Sequence, residues 1–215
     1  MEKVTASKVA LKKEVDQILK NRAQKKAEEI FEKQIAGKVK KDSKISEEEI
    51  KTLIAKASKG ELEVDELKDV LIKNLGMSEE EVEKIISEAK SKGEDVKKVL
   101  LAKVLEETTT LSDEEVKQVV EKVQEVASET TELLSKIGNA ATAKEIRKIL
   151  EDAGDISEEA ITRIVEKNEE MLEEEKSFLR ETMAKLYARL QRDRRLNVEE
   201  AFCSNIEGLD RKSVV

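Results

Sequence analysis

The chain has 215 residues, of which 42% are charged, 38% hydrophobic and 2% aromatic; it holds no Pro, Trp or His, a single Cys, and a net charge of −8. Ordinary globular domains are about 25% charged, so this much polar surface fits elongated helices better than a compact sphere, and no helix meets a proline breaker. Without histidine the usual proton shuttle near neutral pH and the commonest metal ligand are both missing, and Cys203 by itself forms neither an intramolecular disulfide nor a thiolate cluster.

No apolar run approaches the roughly 20 residues that a membrane-spanning helix needs, and "MEKVTASKVALKKEV" lacks the continuous apolar segment of a signal peptide. The expectation is a soluble, cytoplasmic protein, with secretion through a signal that has no apolar core left open. Charge is unevenly spread: residues 1–41 carry a balance of +6, residues 178–215 one of +2, and the middle therefore −16. Such polarity steers assembly with a partner or with another copy.

Residues 1–41 are expected to form a basic N-terminal helix. From Val4 to about Ile35, apolar Leu11, Val15, Ile18, Ala23, Ala27, Ile30 and Phe31 are spaced for one helix face, and Lys12, Lys13, Lys20, Arg22, Lys25 and Lys26 decorate it. Two readings follow: an arm for nucleic acid, an anionic membrane or an acidic partner, and a helix that docks on the acidic middle. Interleaved Glu28, Glu29 and Glu32, and the lack of stacking aromatics other than Phe31, favour docking.

Residues 42–156 repeat one phrase. "KISEEEIKTLI", "GMSEEEVEKII" and "TLSDEEVKQVV" place Ser46, Ser78 and Ser112 as helix N-caps with Glu49, Glu81 and Glu115 three residues on, each a capping box. Ile45, Met77 and Leu111 before the caps face Ile50, Val82 and Val116 after them as hydrophobic staples. A fourth copy, "DISEEAITRIV", has Ala160 in place of the glutamate but keeps Ile156 and Ile161, and Thr142 with Glu145 makes a further box. Apolar triplets at i, i+3, i+4 follow the caps (Ile50/Leu53/Ile54, Val82/Ile85/Ile86, Val116/Val119/Val120, Ile161/Ile164/Val165) and recur upstream of three of them (Leu67/Val70/Leu71, Leu101/Val104/Leu105, Ile146/Ile149/Leu150). Cap spacings of 32, 34 and 45 residues fall where helical-hairpin repeats are expected. Gly60, Gly93 and Gly138 are read as preceding second helices, and Gly76 and Gly154 as left-handed C-caps.

Residues 157–195 read as one long coiled-coil-like helix. Ile161, Val165, Asn168, Leu172, Leu179, Met183, Leu186 and Leu190 keep 3-4 spacing apart from a gap at "EEMLEEEK", with Asn168 as a polar residue that sets register or partner number. A core helix of a monomeric bundle would show nearly the same pattern. Most of the arginines gather at "RLQRDRR" and its surroundings, which points either to cations at a helix C-terminus or to an acidic-partner site. Residues 196–215 read as a short helix, capped by Asn197 and Glu200 and burying Val198, Ala201, Phe202 and Ile206, then a flexible tail. Ser213 and Val215 suit carboxylate capture by a PDZ domain, and Cys203 fits a small apolar side chain better than a reactive thiol.

Two segments carry family resemblances. "DELKDVLIKNLGMSEEEVEKIISEAKSKG" and "KEIRKILEDAGDISEEAITRIVEKN" resemble the helical repeats in the N-terminal domain of type II secretion and type IV pilus assembly ATPases. The resemblance implies paired helices joined through Gly and a Ser-Glu-Glu start; Ala89 and Asn168 stand where that family's nucleotide-binding members have Gln, so cyclic dinucleotide binding does not carry over. "KGELEVDELKDVL" is similar to the second half of an EF-hand loop, with Gly60, Leu62 and Glu66 at positions 6, 8 and 12, but Ala55, Ala57 and Lys59 at positions 1, 3 and 5 offer no side-chain oxygen to calcium.

The expected fold is all-α: stacked helical hairpins, as a helical repeat or multi-helix bundle, flanked by two long amphipathic helices. The expected function is a non-catalytic scaffold or adaptor acting through apolar seams and charged faces, because a triad has no His and the glycine-rich phosphate signatures do not occur. No cofactor, metal or small-molecule substrate is expected; the partner is a protein or a second copy. The candidate partner-binding residues are Leu172, Leu179, Met183, Leu186 and Leu190, with Arg189, Arg192 and Arg195 as charge partners. The alternatives are an idealised or engineered helical protein with no function beyond its fold, and nucleic-acid binding through the basic N-terminal arm.

Overall fold

Local signals set most helix boundaries in the computed structural model, which describes the backbone of residues 2–140 and 142–210 and the side chains of 6, 8–140 and 142–195. The protein is all-α, with eight helices among the described residues and no strand: α1 Glu2–Gln34, α2 Glu47–Ser58, α3 Val64–Asp69, α4 Glu79–Lys92, α5 Val96–Thr108, α6 Asp113–Asn139, α7 Ala143–Ala153 and α8 Glu158–Asp210. None of them is long and apolar enough to cross a membrane. Two compact units are distinguished, Lys12–Val165 and the described residues of Met1–Leu11 with Glu166–Val215, so their limits fall inside α1 and α8.

In the larger unit all three serine boxes form. The side chains of Ser46, Ser78 and Ser112 accept the N–H of Glu49, Glu81 and Glu115, whose carboxylates accept the cap N–H in return at 2.8 to 2.9 Å. Each exchange satisfies two of the four orphan donors of a helix start. Thr142 accepts from the N–H of Glu145 at 3.2 Å and Ser157 from that of Ala160 at 3.3 Å. The expected stripes then supply the core: Ile50, Leu53, Ile54, Leu67, Leu71, Val82, Ile86, Leu101, Val104, Leu105, Val116, Val119 and Val120 are buried in one cluster, joined from α1 by Ala23, Ala27, Ile30 and Phe31. Helix α5 packs against α3, α4 and α6, and α6 also receives α2 and α7.

Gly93 (φ +70) closes α4 in the left-handed conformation. Gly138 differs from expectation: it lies inside the last turn of α6, and the break comes at Ala140, whose backbone is extended. After α3 the chain makes a π turn, Val70–Asn74, in which the Leu75 N–H reaches the carbonyl of Val70 at 3.0 Å.

The segment between α1 and α2 is pinned to the α5–α6 turn. Val39 pairs with Thr109 in an isolated antiparallel bridge, flanked by Lys40 N–H to Thr108 carbonyl (2.9 Å) and Thr110 N–H to Lys38 carbonyl (2.8 Å). Lys40 Nζ donates to the Glu106 and Glu107 carbonyls (2.8 and 3.0 Å), where the negative end of α5 attracts a cation. Thr108 and Thr109 are buried with their hydroxyls donating to the Val104 and Leu105 carbonyls four residues back, which is how the polar "EETTTLS" run enters the core. Lys38 Nζ meets the Glu115 carboxylate at 2.8 Å. That ammonium, with the Ser112 N–H and hydroxyl, holds the Glu115 carboxyl down to about 2.

Candidate partner-binding face of the C-terminal helix

Helix α8 runs unbroken from Glu158 to Asp210, so the expected separate helix capped at Asn197 is not formed. The side chains proposed to cap it or be buried by it, and that of Cys203, lie outside the described ones, and Ser213 and Val215 lie outside the described residues. Nothing between residues 158 and 210 is proline, and the one glycine, Gly208, falls near the helix end, so no residue in the stretch forces a stop.

The described part of α8 changes character along its length. Ile161 and Ile164 are buried and belong to the larger unit. Asn168 is buried at 7% exposure, so it is not an open seam position, and Leu172 is half-buried. Beyond Leu172 the apolar residues turn to solvent: Leu179, Met183, Leu186, Tyr187 and Leu190 are 51 to 66% exposed, and Phe178 adds 38%. Among the described residues only Val9 is otherwise a large exposed apolar side chain. Single exposed leucines are ordinary, whereas a contiguous row marks an interaction surface.

Leu179, Met183, Leu186 and Leu190 follow 4-3-4 spacing, which keeps them on one stripe of the helix over about 16 Å. In heptad terms Leu179 and Leu186 occupy d, Met183 and Leu190 occupy a; Lys176 and Asp193 continue the a and d positions to either side. Arg180, Tyr187 and Arg194 fall at e, and Thr182 and Arg189 at g.

Charge is polarised along the same stretch. Residues 166–176 hold six acids and two lysines, and residues 189–195 hold four arginines and one aspartate. At the acidic end Lys8 of α1 forms an ion pair with Glu175 inside the smaller unit, and Lys176 bonds Glu173 at 2.6 Å, which lowers the Glu173 carboxyl below the ordinary range. At the basic end Arg189, Arg192, Arg194 and Arg195 are exposed and make no ion pair with a described residue. The structure therefore places Leu179, Met183, Leu186 and Leu190 on one exposed stripe, with Leu172 set partly inside; of the expected charge partners Arg189 flanks the stripe, whereas Arg192 and Arg195, though exposed, fall at c and f away from it.

Elsewhere the notable polar site is Arg22, which the sequence reading placed among the solvent-facing cations of α1. It is 4% exposed. Its Nη2 donates to the Ala153 carbonyl at 2.6 Å, its Nε to the Ala153 and Gly154 carbonyls at 3.2 and 3.1 Å, and both Nη atoms to Glu129 Oε2 at 3.2 Å. The guanidinium thus caps the C-terminal end of α7, where carbonyls lack intrahelical donors. Lys26 also reaches Glu129, at 3.0 Å, and chiefly through that bond, with Arg22 adding to it, lowers the Glu129 carboxyl. The signal was in the helix phase: Arg22 lies three residues beyond Leu19, within the buried stripe Val15, Leu19, Ala23, Ala27.

A cleft of about 600 Å³ among the described residues is an open trough lined in part by Leu62, Leu101, Val120 and Val123. Its charged rim is engaged structurally, Asp95 capping α5 through the Lys97 N–H and Lys97 reaching Glu63 at 3.4 Å. At the EF-hand-like turn Leu62 is buried and Ala55 and Ala57 are half-buried. No group of three or more Asp, Glu, His or Cys side chains suited to a metal ion occurs among the described residues.

Comparison with protein-family models, with curated proteins and with solved structures yields no match to the chain.

Proposed function

We propose that the protein is a non-catalytic helical scaffold whose α8 face, Leu179 to Leu190, binds an amphipathic helix. The observation that carries this reading is the exposed 4-3-4 row of large apolar side chains on a helix whose first apolar positions, Ile161 and Ile164, are buried. Fully burying a leucine or methionine side chain is worth about 1.5–3 kcal/mol, and these are somewhat over half exposed, so each gains on the order of 1 to 2 kcal/mol when covered. Four such residues against four on a partner helix offset the estimated cost of association, about 4–15 kcal/mol, and predict a moderate, reversible complex. Arg189 and Arg194 at the flanking g and e positions, with Arg192 and Arg195 adding to the local positive field, favour acidic residues on the partner and a binding rate that falls with salt.

The division of labour in the larger unit supports the same reading. Lys20 pairs with Glu61 and Lys26 with Glu129, which supports the basic α1 as a helix docked on the acidic middle of its own chain. Within the larger unit the capped hairpins cover one another's apolar stripes, as stacked helical hairpins do.

The test compares wild type with Leu186→Glu by light scattering coupled to size exclusion over a wide concentration range, and by capture from extract of the source cells. Association in either assay that disappears with Leu186→Glu, at an unchanged unfolding midpoint, is the expected result. A wild-type chain that is monomeric throughout and retains nothing overturns the proposal.

A further inference from the structure

We infer that the helix covering this face is the same face of a second copy, running antiparallel. The inference rests on the interface reading above and adds the identity and direction of the partner. The charge pattern carries it. Laying α8 against itself antiparallel so that Leu179 meets Leu190 and Met183 meets Leu186 closes four apolar layers, because the 4-3-4 spacing reads the same in both directions. The same alignment, without further adjustment, places Lys176 opposite Asp193 of the second copy at both ends of the seam, and sets Glu173 beside Arg194 at the flanking e positions. Arg180 then lies by Tyr187, a guanidinium against an aromatic ring. Every one of these pairs occurs twice by symmetry.

A parallel arrangement of the same register loses this. It stacks the acidic stretch 166–176 on itself and the arginines of 189–195 on themselves, and sets Arg189 against Arg194 at the g and e positions. Like charges facing one another are destabilising and act as a device against the wrong orientation. Arg194 makes no ion pair with a described residue of its own chain, and the alignment sets it beside Glu173 of the second copy; Arg189 falls beside Thr182, and Arg192 and Arg195 lie outside the seam. A surface that is its own complement under a two-fold rotation is what a symmetric dimer requires.

The experiment uses the full chain with Cys203→Ser, carrying a spin label at Ser177→Cys or at Gln191→Cys, positions outside the seam whose replacement changes no charge. At 1.5 Å per residue, antiparallel pairing puts two Ser177 labels about 20 Å apart along the helix axis and a Ser177 label level with a Gln191 label of the other copy. Dipolar distances are therefore expected to be shorter in the mixed sample than in the all-177 sample. The reverse order refutes the antiparallel arrangement. A charge exchange provides the second readout: Glu173→Lys or Arg194→Glu alone weakens dimerisation about tenfold, and the double exchange restores it, since each pair appears twice. Failure of the double variant to recover also refutes the pairing. A wild-type chain that stays monomeric yet retains an extract protein lost on Leu186→Glu overturns the second-copy partner while leaving the interface reading standing; loss of both overturns both.

Discussion

Replacing Arg22 by methionine keeps the aliphatic stem that α1 buries and removes the guanidinium alone. In the native unit that head group supplies the side-chain donors to the Ala153 and Gly154 carbonyls at the end of α7 and two of the bonds to Glu129. Hydrogen bonds from a charged donor are worth about 1.5–3 kcal/mol each in mutational series, and breaking a fully buried ion pair costs about 3–5. Glu129 is half exposed and keeps Lys26, so the loss is dominated by the two carbonyls, and about 3 kcal/mol is the expected destabilisation. For a unit of this size that is about 6–12 °C in unfolding temperature. Urea and thermal unfolding followed by circular dichroism measure it directly. Arg22→Lys should recover only part, because one ammonium does not reproduce a planar fork serving a helix end and a carboxylate together. Glu129→Gln, on the exposed side of the cluster, should cost at most about 1 kcal/mol. The reasoning is refuted if Arg22→Met costs less than Glu129→Gln, since the carbonyls of α7 would then not be the groups that need the arginine.

Met183→Glu with Leu186→Glu should abolish association while leaving unfolding of the larger unit unchanged within about 0.5 kcal/mol, because both side chains are mostly exposed; a melting shift of several degrees would show the face to be core. Ser112→Ala should cost about 1 kcal/mol and more than Ser78→Ala, since Glu115 also bonds Lys38 whereas Glu81 is held by Ser78 alone; equal losses in urea titrations would sink that distinction. Gly93→Ala should destabilise by about 1 kcal/mol because its φ is +70° while a Cβ there meets nothing within 4 Å, whereas Gly138→Ala, also in open space but helical, should stabilise by up to about 1 kcal/mol; equal signs for the pair would contradict the assigned backbone. Glu49, Glu81 and Glu115 all have lowered carboxyls, Glu115 from 4.5 to about 2. Their contribution is fully present above the unfolded value and is lost as pH falls through the folded one, so stability should be flat across neutral pH, with no histidine to titrate, and decline from about 4.5 toward about 2; a transition near pH 6.5 would contradict it.

How far the fold could be read depended on whether the deciding interaction was local. Ser46 with Glu49, Ser78 with Glu81 and Ser112 with Glu115 bond within three residues, so a phrase of six letters contains cap, reciprocal carboxylate and staple, and the stripes that follow show the buried face. Gly138 misled because a glycine is tolerated in a helix at a modest cost, so its presence near an expected boundary does not make one; the chain turns two residues later, at Ala140. The bridge from Val39 to Thr109 and the reach of Lys40 to the end of α5 join residues some seventy positions apart, and no spacing rule connects them. Asn168 keeps the 3-4 phase that the open row follows and is nevertheless buried, since phase alone does not say what covers a stripe. On α8 the sequence reading named Leu179, Met183, Leu186 and Leu190 as one row, and the structure puts them on one exposed helix face; it did not separate Leu172 from them, because burial is set by neighbours distant in the chain.

The uneven distribution of charge takes on a specific meaning once the pairs are placed. The excess of cations in residues 1–41 and of acids in the middle of the chain meets within the larger unit, through Lys20 with Glu61, Lys26 and Arg22 with Glu129, and Lys38 with Glu115. Attraction of that kind is consumed by folding and leaves little field to steer a partner. The acidic and basic stretches of α8 are different, because they lie on one helix, separated by about 20 Å of apolar face, and do not meet each other within it. The acidic stretch is met in part locally, by Lys176 at Glu173 and Lys8 at Glu175, and an antiparallel second helix would set the two stretches opposite one another. The apolar row between them, with the same spacing read from either end, gives that helix somewhere to sit. Composition alone leaves a protein partner or a second copy for a chain with basic segments, with nucleic acid as the lesser alternative. The order of charge along α8 supports the second copy proposed above, since its face offers acidic and basic ends in complementary order with a seam of matching length.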